Sequence, residues 1–397
     1  MQQKLSTMFL ERSKKWRWAI LTGFVLLAGG YRCSKEQTPV PWPPVNTQPV
    51  FDWQGINMTA WGKNWWDDSQ RVDKALKFIL EEGCNGVTLD WAVNFEDDGH
   101  LVPIEDTASL HPPLATIASI ITRAHQAGLK VMLKPHVTLR HSPTNRNIWN
   151  TDIQTFLPTH FFPDYMTYWK RLATFAKENH VEMLCIGTEL NHLDWLFRDE
   201  WIYLIQEIRN SYSCPLTYDA LFDRWLYNKN LADVVFWDQL DYIGVSLYVP
   251  LTTDDNAPVD TLRQAFFHDL GERYGGDGWF KIDNVIAYLQ NICAQYQKPM
   301  LAVEGGYPSK NQGLYYISGP DPQSYAYDNL QSRGLDAYLG VLSENKGQWF
   351  KGVSLWCITP YLLTPESMQT IWHTQDFNFY NKPASAIVKK HFYPQGP

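Results

Sequence analysis

Residues 183–189 read MLCIGTE and residues 300–306 read MLAVEGG, so two short apolar runs each lead directly into a glutamate. Neither run shows the alternation of polar and apolar residues that is typical of a half-exposed strand. Short continuous apolar runs are typical of strands that are buried on both faces of a parallel sheet. We therefore interpret both as parallel strands, with Glu189 and Glu304 at their carboxyl ends.

Six further runs of this kind occur along the chain, at residues 55–58, 86–89, 130–133, 216–218, 242–247 and 352–355. Segments with helical periodicity lie between them. Apolar residues recur every three or four positions over 72–80, with Asp68 or Ser69 as the expected N-cap and Gly83 as the stop. The segments 114–124, ended by Gly128, and 200–212 follow the same pattern.

Eight strands alternating with helices predict the α/β class and a single (β/α)8 TIM barrel. The strand centres lie roughly 28 to 57 residues apart, against roughly 31 per unit in a bare barrel, so the βα loops are expected to be extended. A doubly wound sheet is the alternative fold. It is disfavoured because no glycine-rich phosphate loop follows the first strand.

The N-terminal part of the chain has the composition of a targeting segment. In residues 1–33, basic side chains precede the apolar run WAILTGFVLLAGG at 18–30, as in a signal peptide. An uncleaved or lipid anchor is the alternative, since Cys33 stands where a lipoprotein signal would be modified. Residues 34–50 carry five prolines and predict an extended linker, so the barrel is expected to occupy 51–397. We therefore expect an exported protein that is secreted or associated with the cell envelope.

Composition excludes several classes of partner and site. Lys and Arg number 34 against 42 Asp and Glu, a net charge of −8, so no basic footprint for nucleic acid exists. Cys84, Cys185 and Cys357 lie in or beside apolar runs, which favours buried thiols over disulfides. The 18 tryptophans are unusually many, and those near strand ends are expected to face a ligand: Trp61, Trp65, Trp66, Trp91, Trp195 and Trp356.

The catalytic residues of such barrels lie at the carboxyl ends of the strands. Glu189 and Glu304 end the fourth and seventh strands and would therefore face the same site. A pair of carboxylic acids is what glycosidic bond cleavage requires, one to protonate the leaving oxygen and one to attack or to activate water. The alternative for either residue is that it begins the next helix, where its charge is favoured by the helix dipole.

Other residues near strand ends are candidate sugar ligands. Tyr248 could donate its hydroxyl to a carboxylate, Trp356 offers an aromatic face to a pyranose, and His136 could bind a sugar hydroxyl or shield a carboxylate. Trp61, Asn57 and Asp219 are weaker candidates, and packing or helix capping are the alternatives for the whole set. No sequence pattern for a metal site appears, so neither a metal nor a cofactor is expected.

These motifs together resemble the retaining glycoside hydrolases of clan A, and within them family 113, the β-mannanase family. The resemblance covers most of 51 to 383 and is carried by GINMTAWG at 55–62, LKVMLKPHV at 129–137, CIGTE at 185–189, DYIGVSLY at 241–248 and KPMLAVEGGY at 298–307. It implies that Glu189 is the general acid/base and Glu304 the nucleophile, with Tyr248 beside Glu304 and Trp356 beneath the sugar. Thr188 and Asp219 stand where relatives commonly have asparagine.

The resemblance predicts cleavage of β-1,4-mannosidic linkages in mannan or manno-oligosaccharides by double displacement, with no cofactor. One alternative is the same chemistry on glucan, xylan or a terminal β-mannoside. Another is a noncatalytic carbohydrate-binding barrel, which would not require an opposed carboxylate pair. The expected partner is a polysaccharide or oligosaccharide, with membrane attachment only through the N-terminal segment, and the sequence leaves the oligomeric state open.

Overall fold

The computed structural model describes residues 41–141, 146–149, 156–224, 229–268, 282–347 and 349–393. The predicted targeting segment, residues 1–33, lies outside the described residues, as does the first part of the predicted linker. Among the described residues, none of the helices has both the length and the apolar character needed to cross a bilayer.

Eight parallel strands form a closed barrel, which confirms the predicted fold class. Each strand pairs with its neighbours in chain order, and the first also pairs with the eighth. The strands are β1 (Trp53–Ala60), β2 (Gly86–Glu96), β3 (Lys130–His141), β4 (Met183–Thr188), β5 (Leu216–Leu221), β6 (Ile243–Ser246), β7 (Met300–Glu304) and β8 (Phe350–Ile358).

Helices connect most of these strands. They are α1 (Ser69–Glu81), α2 (Leu114–Gln126), α3 (Pro158–Glu178), α4 (Leu193–Leu196), α5 (Arg198–Ser211), α6 (Val259–Gln264), α7 (Val285–Tyr296), α8 (Asp328–Glu344), α9 (Ile371–Thr374) and α10 (Ala384–Phe392). Short strands at Arg146–Trp149, Asp223–Arg224 and Lys229–Asn230 decorate the loops. In the β5–β6 connection, the helical turns among the described residues are the 3₁₀ turns Leu231–Asp233 and Trp237–Gln239, and no α-helix occurs in that described part.

The predicted boundary signals of the first helix are confirmed. The Asp68 carboxylate accepts hydrogen bonds from the backbone amides of Gln70 and Arg71, and so caps α1. Gly83 has φ of 87°, a left-handed conformation that glycine adopts without steric cost. Local sequence therefore determines where this helix begins and ends.

The hydrophobic core has two parts, and the division decides which side chains reach the site. One large cluster lies between the strands and the surrounding helices. A smaller cluster comprises Trp53, Met132, Met183, Cys185, Leu301 and Val303. These residues alternate along their strands with members of the large cluster, so they point into the barrel interior.

The compact unit begins at Trp42, earlier than the start at Phe51 expected from composition. Trp42, Val45 and Val50 pack partly buried against the core, and the Asn46 amide donates to the carbonyls of Gly83 and Phe392. The proline-rich sequence is therefore in part a packed segment of the barrel body. Cys84, Cys185 and Cys357 are buried free thiols, as predicted.

Candidate active site

Glu304 is the last residue of β7, and a register irregularity brings it into the barrel mouth. The pairing of β7 with β6 shifts between Ala302 and Glu304. Strict alternation would place Glu304 on the same face as Ala302, which packs in the outer cluster. An irregularity of this kind re-aims a side chain, and here it turns a carboxylate toward the interior face.

Glu189 follows β4 in a left-handed backbone conformation, with φ of 50°. Such a conformation is uncommon for a residue other than glycine and has to be held by its surroundings. The Glu189 amide donates to the Asp219 carbonyl at 2.7 Å, and the next amide, of Leu190, donates to the Tyr218 hydroxyl at 2.8 Å. That hydroxyl in turn donates to the Asp194 carboxylate. Neighbouring strand β5 therefore fixes the turn that presents Glu189.

Lys134 lies at the centre of the site and is completely buried. Its ammonium lies 2.7 Å from an Asp90 carboxyl oxygen and 3.3 Å from one of Asp219. It also donates to Oε1 of Glu304. Four strands, β2, β3, β5 and β7, thus converge on one buried cluster of an ammonium and three carboxyl groups, which we call the lysine cluster.

Polar groups outside the lysine cluster bind its carboxyl groups. The Tyr248 hydroxyl donates to Oε2 of Glu304 at 3.0 Å, as the sequence predicted. The Ser246 hydroxyl donates to Oδ1 of Asp219 at 3.1 Å. Glu304 therefore has a different donor on each carboxylate oxygen, which fixes the plane of the group.

Burial governs the protonation of this region. It raises the pKa of Asp90 to about 7, against the attraction of Lys134, and raises that of Asp219 well above its ordinary value. Burial and repulsion by Lys134 lower the pKa of His136 to about 4, so the imidazole is neutral at pH 7. Burial and the negative charges of Glu304 and Glu189 raise the pKa of Tyr248, which keeps its proton available for donation.

Three aromatic rings line the mouth above the lysine cluster. The Trp61 and Trp356 ring centroids are 5.7 Å apart, and the ring of Trp61 meets that of His136 edge-on at 5.5 Å. The Lys134 ammonium lies 5.1 Å from the centre of the Trp356 ring. These rings are partly exposed, and they present apolar surface at the barrel mouth.

Two of the candidate sugar ligands are completely buried. Asn57 is completely buried, and its amide donates to the backbone carbonyls of Val303, Ser354 and Leu355, joining β1 to β7 and β8. Asp219 is also completely buried in the lysine cluster. Their placement is that of residues supporting the site, and a direct contact with sugar stays a prediction for both.

The interpretation of the tryptophan surplus needs correction at two positions. Trp66 and Trp91 are buried, at 2% and 0% exposure, and pack against each other with ring centroids 6.2 Å apart. Both belong to the large core cluster and do not face a ligand. Trp91 lies in β2 in phase with residues that face the helices, whereas Trp66 lies in the loop after β1, where its indole N–H donates to the Thr59 carbonyl.

Sequence reasoning gave no role to Lys134, the residue on which the site is centred. A signal was present, because Lys134 follows Met132 by two positions and therefore faces the same side of β3. The same spacing relates Thr88 to Asp90 and Thr217 to Asp219. Charged residues in phase with interior positions of three strands indicate a buried charged cluster.

Two groups of side chains in the described part of the chain bring potential metal ligands together. Asp90, His136 and Glu304 form one, but the Lys134 ammonium already contacts both carboxyl groups as a cation would. Asp98, His100 and His160 form the other at the surface, where the two imidazoles stack with centroids 4.1 Å apart. The sequence did not reveal this second cluster because His160 is 60 positions from His100 (160 − 100).

Known proteins share this architecture. A structure titled as a GH113 β-mannanase from Alicyclobacillus acidocaldarius superposes with a TM-score of 0.68 at 23% identity, covering 87% of this chain and 97% of that one. A second, titled as a GH113 β-1,4-mannanase, gives 0.67 at 22%, with 86% and 98% covered. A family 5 mannosidase from Rhizomucor miehei gives 0.51 at 13%, with 85% and 92% covered. No curated protein sequence matches the chain.

The structural similarities establish the fold. The assignment to a family depends on the match between the sequence and a family model. The model of Glycoside Hydrolase Family 113 matches residues 58–382, which span all but the first part of β1 and the C-terminal helix α10. That range contains Glu189, Glu304 and the whole lysine cluster. The chain therefore belongs to glycoside hydrolase family 113 and is a glycoside hydrolase.

Proposed function

We propose that the protein hydrolyses β-1,4-mannosidic linkages in mannan or manno-oligosaccharides with retention of anomeric configuration. The observation that carries the proposal is the convergence of Glu189 and Glu304 on one site. The negative charges of both act on Asp219 and on Tyr248, although the two glutamates are 115 positions apart (304 − 189). Family membership and the titles of the similar structures support mannan as the substrate.

In the proposed mechanism, Glu304 attacks the anomeric carbon while Glu189 protonates the departing glycosidic oxygen. The bond from carbon to the leaving oxygen breaks and an ester to Glu304 forms. Glu189, now ionised, removes a proton from water, and the water oxygen attacks the same carbon and releases Glu304. The negative charge on Glu304 favours a protonated Glu189 before attack, and its loss in the ester favours the ionised form afterwards.

The surrounding residues have supporting roles in this proposal. Tyr248 orients Glu304 through the hydrogen bond to Oε2. Trp356 and Trp61 provide the surface against which the sugar ring packs, and the neutral His136 imidazole is placed to bind a sugar hydroxyl. Thr188, where clan A relatives commonly have asparagine, is 1% exposed, so we assign it no substrate contact. We further propose export, on the basis of residues 1–33 alone.

A panel of β-glycans tests the substrate assignment. Mannan, manno-oligosaccharides, glucan, xylan and an aryl β-mannoside would be incubated with the enzyme, and reducing ends and product sizes would be measured. We expect kcat/KM on manno-oligosaccharides to exceed that on the other oligosaccharides by about 10-fold or more, since pocket contacts discriminate on this scale. The Glu304→Ala variant, purified identically, controls for contaminating activity.

The sizes of the products from mannan separate endo from exo action. Release of reducing ends from glucan or xylan with none from mannan would contradict the substrate assignment. Saccharide binding without any product from the whole panel would instead favour a noncatalytic carbohydrate-binding protein.

A further inference from the structure

The lysine cluster holds one cation and three acids in a region without solvent. Lys134, Asp90 and Asp219 are completely buried, and Glu304 is 5% exposed. Three ionised carboxylates around one ammonium would leave two uncompensated negative charges there. Desolvation makes such an excess costly, and buried acids avoid it by keeping their protons.

The two aspartic acids are the groups that keep their protons. Burial raises the pKa of Asp90 to about 7 and that of Asp219 well above its ordinary value. Below pH 7 the ammonium is therefore opposed chiefly by one carboxylate.

That carboxylate is Glu304, on the evidence of its donors and position. It is the cluster acid nearest to the open mouth, and Lys134 and Tyr248 donate to its two separate oxygens. Oδ1 of Asp90 lies 3.9 Å from Nδ1 of the neutral His136 imidazole, which is too far for a hydrogen bond. Asp219 accepts a hydrogen bond from the Ser246 hydroxyl. A hydroxyl can both donate and accept, so this contact is compatible with a protonated or an ionised Asp219.

Other titratable groups around the lysine cluster do not compete for the ammonium. The thiols of Cys185 and Cys357 stay neutral because burial raises the pKa of each well above its ordinary value. The hydroxyl of Tyr248 and the imidazole of His136 are likewise uncharged. Glu189 acts on Asp219 and Tyr248 from the carboxyl end of β4.

We propose that Lys134 is a positioning residue for the reaction, which holds the Glu304 carboxylate in the orientation for attack. Asp90 and Asp219 serve as neutral partners in this proposal, so that the charge of Lys134 acts chiefly on Glu304. The proposal deepens the function proposed above and rests on it.

The same ammonium also contacts Trp356, one of the two rings on which we propose that the sugar packs. It lies 5.1 Å from the centre of the Trp356 ring, within the range of a cation–π interaction. The backbone supports this link, since the Trp356 amide donates to the carbonyl of Gly305 at 2.8 Å. Lys134 donates a hydrogen bond to Glu304, whereas it only faces the ring of Trp356. We therefore expect its loss to affect attack by Glu304 more than sugar binding on Trp356, and so to lower kcat more than it raises KM.

The test compares the pH dependence of kcat/KM for Lys134→Met and for the wild-type enzyme on manno-oligosaccharides. Without the cation, nothing in the lysine cluster opposes protonation of its buried acids, so the acid limb should move to higher pH by about one unit or more. We also expect kcat to fall by about 100-fold or more, because the loss of one preorganised donor at a reacting group lowers kcat by about 10²- to 10³-fold.

Lys310→Met is the matched control for the loss of a buried lysine. Lys310 is 3% exposed and donates to the Ser318 hydroxyl and the Gly319 carbonyl, in the loop after β7. This variant should lower thermal stability and leave the acid limb in place. If Lys134→Met does not fold, Lys134→Gln replaces it, since its amide keeps a donor for the carboxyl groups while removing the charge.

The possible outcomes separate the two proposals. A variant at Lys134 that folds and keeps the wild-type acid limb would overturn the positioning role, even if its stability is reduced. An equal shift in Lys310→Met would overturn it too, since the shift would then be a general effect of destabilisation. Absence of wild-type activity on every β-glycan would instead contradict the proposed function.

Discussion

Replacement of Glu304 by alanine is expected to lower kcat on manno-oligosaccharides by about four orders of magnitude or more. The change removes the group that forms the covalent intermediate, and loss of a nucleophile has effects of this size or larger. It also leaves space beside the anomeric carbon and removes the partner of Tyr248 and Lys134. Initial rates with an aryl β-mannoside or oligosaccharide carrying a good leaving group would measure the loss.

Azide distinguishes a lost nucleophile from a damaged fold. A small anion that enters the vacated space should attack the anomeric carbon from the same side as Glu304 and give a glycosyl azide of inverted configuration. Glu344→Ala is the matched control, because Glu344 is exposed at the end of α8 and contacts only Arg263 among the pairs described. Turnover by Glu304→Ala close to that of the control would refute the assignment of Glu304.

Replacement of Glu189 by glutamine should have an effect that depends on the leaving group. Proton transfer from a positioned acid contributes about 10²- to 10⁴-fold, so hydrolysis of unactivated manno-oligosaccharides should slow by that amount. A leaving group such as dinitrophenolate needs no proton, so formation of the glycosyl-enzyme from that substrate should be nearly unaffected. Hydrolysis of the intermediate still requires a base, and a burst of phenolate followed by slow turnover is expected.

The contrast between the two substrates is the informative quantity for Glu189. Glutamine keeps the size of the side chain. It also keeps the left-handed turn, because the amides of Glu189 and Leu190 donate to the Asp219 carbonyl and the Tyr218 hydroxyl. Azide should accelerate the slow phase, since it attacks without base assistance. An equal loss of rate on both substrates would contradict a role for Glu189 as the general acid.

Much of the architecture could be predicted because its signals are local. The eight strands are short apolar runs buried on both faces, and Gly83 and Gly128 mark helix ends in the left-handed conformation. Glu189 and Glu304 were found because residues that follow such runs lie at one end of a barrel. These inferences need only the immediate neighbours of each residue.

Features that depend on tertiary packing were harder to predict. Whether a tryptophan within a strand faces the helices or the barrel interior depends on its phase, which separates Trp91 from Trp356. Trp61 and Trp66 both lie in the loop after β1, and packing of that loop decides which of them is buried. Composition alone also placed Trp42 in a linker, although its ring packs on the barrel body. Asp98 and His160 approach each other only because the loop after β2 lies on α3.

The lysine cluster lies between these two extremes. Asp90, Lys134 and Asp219 occupy interior positions in their strands, and this phase can be read from the sequence. Glu304 reaches the interior only through the register irregularity in β7. Their mutual contacts follow only when β2, β3, β5 and β7 close into one ring. A lysine within an apolar strand is thus a strong indication of a functional site. Burial of its charge requires acidic partners, and these must come from neighbouring strands.

Covalent trapping tests the central claim most directly. The enzyme would be incubated with a 2-deoxy-2-fluoro-β-mannosyl fluoride, whose fluorine slows both steps while its fluoride leaving group allows the first. Mass spectrometry of the intact protein and of its proteolytic peptides would then locate the label. We expect one glycosyl unit per chain, on the peptide that contains Glu304. A label on another residue, or an unlabelled enzyme that turns over mannan with inversion, would contradict the retaining mechanism proposed here.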